Sequence, residues 1–242
     1  MKILHSFNES IDIEFEPIEH TYNYKGRRFL SASSFVEDYI KPFNAVEMAY
    51  HVSEKTGVPQ GDIVDMWESN GNVAAGFGTA MHNVIEYYFK YEKIGAKTKE
   101  SNGAMPNHPF LKQVINDLQK IKPAGETYQE VLISHKKKNI CGQVDDLLVL
   151  DAEKKICWIN DYKFTANILA EKDKLSAPFN FMPPTKLSKN FIQLSFYAYM
   201  MMSSGWKVEG VSIYHWDGEW HKYDLEGAEL GVLIMLITGK YV

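Results

Sequence analysis

Apolar and polar residues follow a helical period in three long stretches of the chain. In residues 78–93 the apolar positions fall three and four residues apart, and Thr79 stands where an N-cap is expected. Residues 108–121 and 188–205 carry the same period, with Ser188 as the candidate cap of the second stretch. The pattern therefore predicts three amphipathic helices in the second and last thirds of the sequence.

A two-residue alternation, or a short apolar run between turn residues, predicts strands elsewhere. Residues 11–30 alternate around Lys25-Gly26 and predict a hairpin. Three further runs are joined by turns too short for a crossover, which predicts an antiparallel meander: residues 127–135, 140–150 and 156–164. A second hairpin is expected around Asp217-Gly218, followed by a helix from near Glu226.

The sequence shows neither an internal repeat nor an obvious linker, so it predicts one mixed α/β domain over residues 1–242. Residues 1–75 would form an N-terminal hairpin with a helical extension, and residues 76–242 the core. The extension would contain three helices, at residues 33–43, where Pro42 ends the first, and at residues 44–57 and 61–76. Two stretches without a clean period are predicted loops: residues 95–107 and 165–187.

The composition narrows the class of protein. A hydrophobic fraction of 45% and a charged fraction of 24% are typical of a globular chain. The two cysteines, Cys141 and Cys157, cannot build an iron–sulfur cluster or a disulfide framework, and they favour a reducing compartment such as the cytoplasm. The N-terminus does not have the pattern of a signal peptide, and the apolar run at 230–237 is too short to span a membrane. The formal charge of −5 argues against bulk electrostatic coating of nucleic acid, but it permits a local basic groove.

The chemistry centres on two neighbouring predicted strands. Asp161 and Lys163 are two residues apart in a strand, so their side chains share one face. Such a pair alone is most simply a surface ion pair. Asp145 lies on the preceding strand, where the meander brings it beside Asp161, and Gly142 permits close backbone approach there. Converging carboxylates repel each other unless a cation lies between them, and oxygen ligands favour Mg²⁺ or Mn²⁺.

Two helices contribute polar pairs with a four-residue spacing. His82 and Glu86 share one face of the helix at 78–93, and Gln193 and Tyr197 share a face of the later helix. Each pair also has an ordinary structural interpretation. His82 could be a capping or core histidine, and the second pair could flank an amphipathic helix.

The order of these residues resembles the PD-(D/E)XK nuclease superfamily, in particular its RecB-like exonuclease branch. The matching elements are Gly78-Thr79-x-x-His82-x-x-x-Glu86, then Glu130, Gly142-x-x-Asp145, Asp161-x-Lys163 and Gln193-x-x-x-Tyr197. Residues 19–43 are also similar to the segment that precedes the histidine helix in phage and mitochondrial members. The resemblance covers about residues 18–215 and implies a restriction-endonuclease-like core, with a central mixed sheet flanked by helices.

The resemblance also implies roles for individual residues. His82, Asp145, Asp161 and the backbone carbonyl of Tyr162 would hold Mg²⁺ or Mn²⁺, and Lys163 would orient the attacking water and stabilise charge in the transition state. The remaining motif residues would support this centre: Gln193 and Tyr197 beside Lys163 or the DNA backbone, and Glu86 and Glu130 around the ligands. Some relatives carry an iron–sulfur cluster, which this chain lacks the cysteines to bind.

Two further regions are candidates for contact with DNA. Lys136, Lys137 and Lys138 fill a predicted turn, which is either simply solvated or a phosphate contact. The loop at 165–187 carries aromatic and basic residues that could stack on bases or contact phosphates, or instead pack down on the protein: Phe179, Phe181, Lys186 and Lys189.

The sequence thus favours a metal-dependent DNA exonuclease that acts on free ends in recombination, repair or genome processing, with a phage origin and a recombination or replication partner protein as further expectations. Two alternatives stay open. One is a DNA-binding or scaffold protein that keeps the fold without catalysis, and the other is a structure-specific endonuclease with the same chemistry. The first would be favoured by loss of a ligand, and His82, Asp145, Asp161 and Lys163 are all present.

Overall fold

A computed structural model describes four stretches of the chain: residues 1–41, 43–91, 109–171 and 174–241. The predicted loop at 95–107 lies outside them, as do residues 172 and 173. The first elements are β1 (Lys2–His5), β2 (Asp12–Glu16), β3 (Thr21–Tyr24), β4 (Arg27–Ser31), α1 (Ala32–Glu37), α2 (Ala45–Thr56) and α3 (Gln60–Tyr91). The later ones are α4 (Pro109–Ile121), β5 (Glu126–His135), β6 (Ile140–Asp151), β7 (Ile156–Phe164), α5 (Lys186–Ser203), β8 (Lys207–Trp216), β9 (Trp220–Glu226) and α6 (Gly227–Tyr241).

Nine strands of the described residues form one mixed sheet in the order β1-β2-β3-β4-β6-β7-β8-β9, with β5 paired to β6. Strands β5, β6 and β7 are antiparallel neighbours, which confirms the predicted meander. The hairpin around Lys25-Gly26 joins β3 to β4, and the one around Asp217-Gly218 joins β8 to β9. Since β4 pairs with β6 and β7 with β8 in parallel, the sheet is mixed, as predicted.

Helices cover both faces of the sheet. One face packs against α1, α5 and α6, and its buried cluster includes Ile159 from β7 and Phe196 from α5. The other face packs against the end of α3 and against α4, where Ile85 and Leu118 surround Tyr162 of β7. The strand that carries Asp161 and Lys163 is therefore fixed from both sides. No helix among the described residues combines the length and apolarity needed to cross a membrane.

The helix that carries His82 is longer than predicted. The sequence predicts separate helices at 61–76 and 78–93, whereas α3 runs without interruption from Gln60 to Tyr91, so Thr79 lies inside it and is not an N-cap. The glycines at the expected break each cost about 1 kcal/mol in a helix but do not forbid it, and the segment has no proline. The boundary expected between residues 75 and 76 therefore falls within one helix, and the division into extension and core stays a prediction.

The helix that carries Gln193 and Tyr197 begins slightly earlier than predicted. Thr185 is the N-cap of α5, since its side chain accepts a hydrogen bond from the backbone N–H of Ser188, so Ser188 is not the cap. The predicted terminal helix is confirmed and begins at Gly227. These shifts of a few residues leave the spacing between Gln193 and Tyr197 unchanged.

The sheet forks along one edge of β6. On its other edge β6 pairs with β5 along most of its length. On the forked edge β4 pairs with Ile140 and Cys141, and β7 pairs with β6 only from Asp146 onward. The segment between Cys141 and Asp146 therefore faces the opening between β4 and β7, and this segment contains Gly142 and Asp145.

Candidate metal centre

Asp145 is held in the fork by the strand that diverges from it. The backbone N–H of Tyr162, on β7, donates to Asp145 Oδ2 at 2.9 Å. Asp146 and Asn160 are paired, so Asp145 and Asp161 stand one step beyond the last rung between the two strands. This bond fixes the Asp145 carboxylate at the point where β6 and β7 separate.

The pleat of β6 changes phase at the same place. Regular alternation would put Val144 and Leu147 on opposite faces, yet both belong to the core cluster beneath α5. On β5, Glu130 stands opposite Asp145 and has a φ of 52°, in the left-handed region. A glutamate in this conformation costs on the order of 1 kcal/mol or more. The distortion brings the Glu130 side chain toward the fork.

His82, Glu130 and Asp145 form a cluster able to hold a metal ion. Each offers one ligand atom, and the three atoms lie within 4.8 Å of one another. His82 Nδ1 is 3.4 Å from Asp145 Oδ2, and its ring lies near the rings of Tyr162 and Phe164. One imidazole and two carboxylates are suitable ligands for a divalent ion such as Mn²⁺ or Mg²⁺.

Asp161 and Lys163 border this cluster and bind each other. Lys163 Nζ is 2.8 Å from Asp161 Oδ1 and 2.6 Å from Oδ2. Asp145 lies close enough that its charge contributes to raising the pKa of Asp161. The two aspartates and the lysine therefore lie together, as the sequence predicted, with Lys163 in ionic contact with one of the carboxylates.

The charges of the cluster favour a bound cation. Burial raises the pKa of Asp145, and burial together with Asp145 raises the pKa of Asp161 to about 6. Burial and the charges of Asp145, Glu86 and Asp161 raise the pKa of Glu130 to about 8. Burial, reinforced by Lys163, lowers the pKa of His82, which keeps its imidazole neutral. A divalent ion that replaces the protons of these carboxyl groups would stabilise their ionised form. The neutral imidazole of His82 is the form that binds a metal.

Lys163 experiences two opposing influences. Burial by itself would lower the pKa of its ammonium group, but the nearby charges of Asp161 and Asp145 outweigh burial and raise the pKa. Lys163 is therefore a stable cation directed into the acidic cluster, where it offsets part of the negative charge.

Gln193 and Tyr197 lie against the fork from α5. Gln193 Nε2 donates to Tyr197 Oη at 2.9 Å. A Cβ on Gly142 would collide with the Tyr197 ring, so the close approach at this glycine is made by a side chain and not by the backbone that the sequence predicts. The charges of Asp145 and Asp161 contribute to raising the pKa of Tyr197, although burial is the largest cause. Tyr197 is thus buried beside the aspartates.

Among the predicted DNA contacts, Phe179 requires a correction. Its side chain is fully buried and packs edge-on against Tyr39, so it has no surface on which a base could stack. Phe181 is 61% exposed and keeps the surface that stacking needs. Lys186 contacts Thr165, and Lys189 forms a 2.8 Å ion pair with Glu37. Proline and aromatic content alone could not distinguish the buried ring from the exposed one.

The basic turn lies at the tip of the β5–β6 connection. Lys136, Lys137 and Lys138 form a short 3₁₀ turn and are exposed. Lys136 Nζ lies 5.5 Å from the centre of the Tyr24 ring, and so does Lys25 Nζ. The turn therefore lies next to the basic end of the β3–β4 hairpin, although the two segments are far apart in the sequence.

The structure places Glu130 among the possible metal ligands themselves. The sequence predicts Glu130 around the ligands, whereas its carboxylate lies within 4.8 Å of the possible ligand atoms of His82 and Asp145. A left-handed glutamate inside a strand leaves no recognisable pattern of residue types. The only available signal was its position opposite Asp145 in the predicted meander.

Comparisons with known proteins give little beyond this geometry. No family model matches the chain, and no curated protein matches it. Among solved structures, the protein SSO0001 is 14% identical, with coverage of 67% of this chain and 73% of that chain and a TM-score of 0.29. A protein of Eubacterium rectale named "Putative exonuclease" is 12% identical, with coverage of 67% of this chain and 65% of that chain and a TM-score of 0.40. Scores this low carry no argument about function, which rests on the side chains themselves.

Proposed function

We propose that this protein is a divalent-metal-dependent nuclease that hydrolyses DNA phosphodiester bonds from free ends. One observation carries the proposal: three acidic residues, a neutral histidine and a lysine converge in the fork between β4 and β7. A purely structural role would not favour such a cluster, because buried like charges destabilise the fold unless a cation neutralises them. The resemblance to RecB-like nucleases in motif order supports the same reading.

The proposed mechanism assigns a task to each side chain. His82, Glu130, Asp145 and Asp161, with the backbone carbonyl of Tyr162, would hold Mg²⁺ or Mn²⁺. When bound, such an ion supplies Lewis-acid polarisation of a phosphoryl oxygen. Lys163 orients the attacking water and places its positive charge where the phosphoryl group becomes more negative. Gln193 and Tyr197, which pack against Gly142 at the fork, would support Lys163 or contact the DNA backbone.

The proposed substrate is DNA with free ends, single- or double-stranded, and the proposed setting is recombination, repair or genome processing, including in a phage. Phosphates would approach along cationic surface, for which Lys136, Lys137 and Lys138 are candidates. Phe181 is the exposed aromatic residue of the 165–187 loop and a candidate for stacking on a base.

A gel assay with end-labelled DNA tests the proposal. Linear and covalently closed circular molecules, single- and double-stranded, are incubated with Mg²⁺, Mn²⁺ or Ca²⁺, or with EDTA. We expect Mg²⁺ or Mn²⁺ to release nucleotides from linear DNA only, and EDTA to stop the reaction. Cleavage of circles would instead identify an endonuclease, and binding without cleavage under every ion would identify a non-catalytic DNA-binding protein.

Variants separate the site from the rest of the protein. Asp145→Ala, Asp161→Ala and Lys163→Ala should each reduce cleavage at least 100-fold, the scale of a lost acid–base or charge-stabilising group. Lys222→Ala is a matched control, since Lys222 also pairs with an aspartate two residues away on a strand and is 28% exposed against 27% for Lys163. Wild-type rates in the three site variants would refute the assignment.

A further inference from the structure

A second polar cluster lies directly behind the candidate metal centre and is built around Asp146. This carboxylate is 0% exposed and accepts hydrogen bonds from three side chains. Oδ2 accepts from Asn160 Nδ2 at 2.7 Å, and Oδ1 accepts from Lys122 Nζ at 3.2 Å and from Gln129 Nε2. Three strands and the residue after α4 are therefore joined at one buried carboxylate.

Each strand residue of this cluster is the chain neighbour of a site carboxylate. Three such pairs occur: Gln129 with Glu130, Asp146 with Asp145, and Asn160 with Asp161. Because adjacent residues share a peptide bond, a shift of the backbone at one member moves the carboxylate beside it. The hydrogen bonds behind the sheet are therefore coupled through the backbone to the carboxylates in front of it.

The cluster also closes the sheet where the fork begins. Asp146 and Asn160 form the rung between β6 and β7 that adjoins the fork. Just beyond it, Asp145 and Asp161 repel each other, which favours opening of the strands. The Asn160–Asp146 side-chain bond opposes that opening from the other face.

A buried ion pair such as Lys122–Asp146 is an expensive way to stabilise a fold, because well-packed apolar residues often do as well or better. Its position behind three site carboxylates gives it a different use. We propose that Gln129, Asp146, Asn160 and Lys122 are positioning residues that hold the acidic ligands at the spacing a divalent ion requires, an inference that rests on the proposed metal site.

Isothermal titration calorimetry with Mn²⁺ tests this inference on the full chain. Asn160→Ala removes the cross-strand hydrogen bond to Asp146. Asp146 keeps its ion pair with Lys122, so no buried charge loses its partner. We expect the Mn²⁺ dissociation constant to rise at least tenfold, the usual scale for groups that orient metal ligands. Gln129→Met removes a second donor from a half-exposed position, and it decides the matter if Asn160→Ala does not fold.

The control variant is Ser6→Ala, which removes a buried 2.6 Å hydrogen bond to Ser134 away from the fork. It should lower the melting temperature and leave Mn²⁺ affinity unchanged. If folded Asn160→Ala and Gln129→Met lose stability but bind Mn²⁺ as the wild type does, the network is structural only and the inference is wrong. If the wild type itself binds no Mn²⁺, the proposed metal site is wrong, and so is the inference that depends on it.

Discussion

Replacement of Glu130 by glutamine should stabilise the metal-free protein, although it alters a residue of the candidate site. The Glu130 carboxylate lies among Asp145, Glu86 and Asp161, and burial and these charges raise its pKa from 4.5 to about 8. Glutamine has nearly the same shape but carries no charge, and its carbonyl can still accept the 2.8 Å hydrogen bond from Gln143 Nε2. The substitution therefore removes repulsion while it preserves packing.

The magnitude follows from proton linkage. A carboxyl group whose folded-state pKa lies above its unfolded value binds more protons in the folded state between those values. Below pH 4.5 the group is protonated in both states and does not destabilise the fold. As the pH rises from 4.5 toward 8, the folded state loses stability, because the group must either ionise among like charges or keep a proton that the unfolded chain releases. At about 1.4 kcal/mol for each pH unit above 4.5, the cost at pH 7 is about 3.5 kcal/mol, which partial solvent exposure reduces to about 2 kcal/mol.

Urea denaturation followed by tryptophan fluorescence measures this effect, at pH 5 and pH 8, with and without Mn²⁺. Without metal, Glu130→Gln should exceed the wild type by about 2 kcal/mol or more at pH 8 and by much less at pH 5. With Mn²⁺ the order should reverse, because the wild type keeps the ligand. Glu126→Gln, an exposed position on the same strand, is the control. A variant less stable than the wild type at pH 8 without metal would refute the reasoning.

Three further substitutions test separate parts of the structure. Gly142→Ala places a methyl group in collision with the Tyr197 ring and should lower the free energy of unfolding by about 1–3 kcal/mol in urea; unchanged stability would contradict the tight contact. Phe179→Ala should cost about 3–5 kcal/mol, whereas Phe181→Ala should stay within about 0.5 kcal/mol and weaken single-strand binding in a fluorescence polarisation assay. Replacement of Lys136, Lys137 and Lys138 by alanine should reduce the salt dependence of DNA binding by roughly two phosphate contacts, and an unchanged slope would leave the turn merely solvated.

The sequence predicts the meander and the second hairpin well because short turns and apolar runs are local signals. It also places Asp145 beside Asp161, since antiparallel strands joined by a tight turn have only a few possible registers. It fails at the start of the His82 helix, where glycines resemble a break although α2 and the sheet stabilise a continuous helix. Local propensity is outweighed there by packing that lies far away in the chain.

Other features of the site depend on contacts that no local pattern records. The fork arises because β4, more than a hundred residues before β6, pairs with only its first two residues. The left-handed conformation of Glu130 and the burial of Phe179 likewise follow from how distant elements meet. Residue types in order are sufficient to suggest a metal centre, but which carboxylates surround the ion is a property of the assembled sheet.

The state of Lys163 shows which carboxylates bind the ion. The resemblance assigns His82, Asp145 and Asp161 to the metal, whereas the geometric cluster contains His82, Glu130 and Asp145. Both oxygens of Asp161 lie within 2.8 Å of Lys163 Nζ. A metal ion that binds Asp161 must compete with this ammonium group, and its own charge lowers the pKa of Lys163.

Acetylation of lysines, quantified by mass spectrometry with and without Mn²⁺, distinguishes the two ligand sets. If Asp161 joins the metal, Lys163 loses the neighbouring negative charge that raises its pKa, so its pKa falls and its acetylation should become severalfold faster. Lys222, paired with Asp224 on β9, serves as the internal reference and should react at the same rate in both conditions. An unchanged rate at Lys163, in protein that calorimetry shows to be loaded with Mn²⁺, would mean that Asp161 stays bound to Lys163. The ion would then be held by His82, Glu130 and Asp145 without Asp161, and the strained backbone at Glu130 would be the structural cost of an unusual ligand.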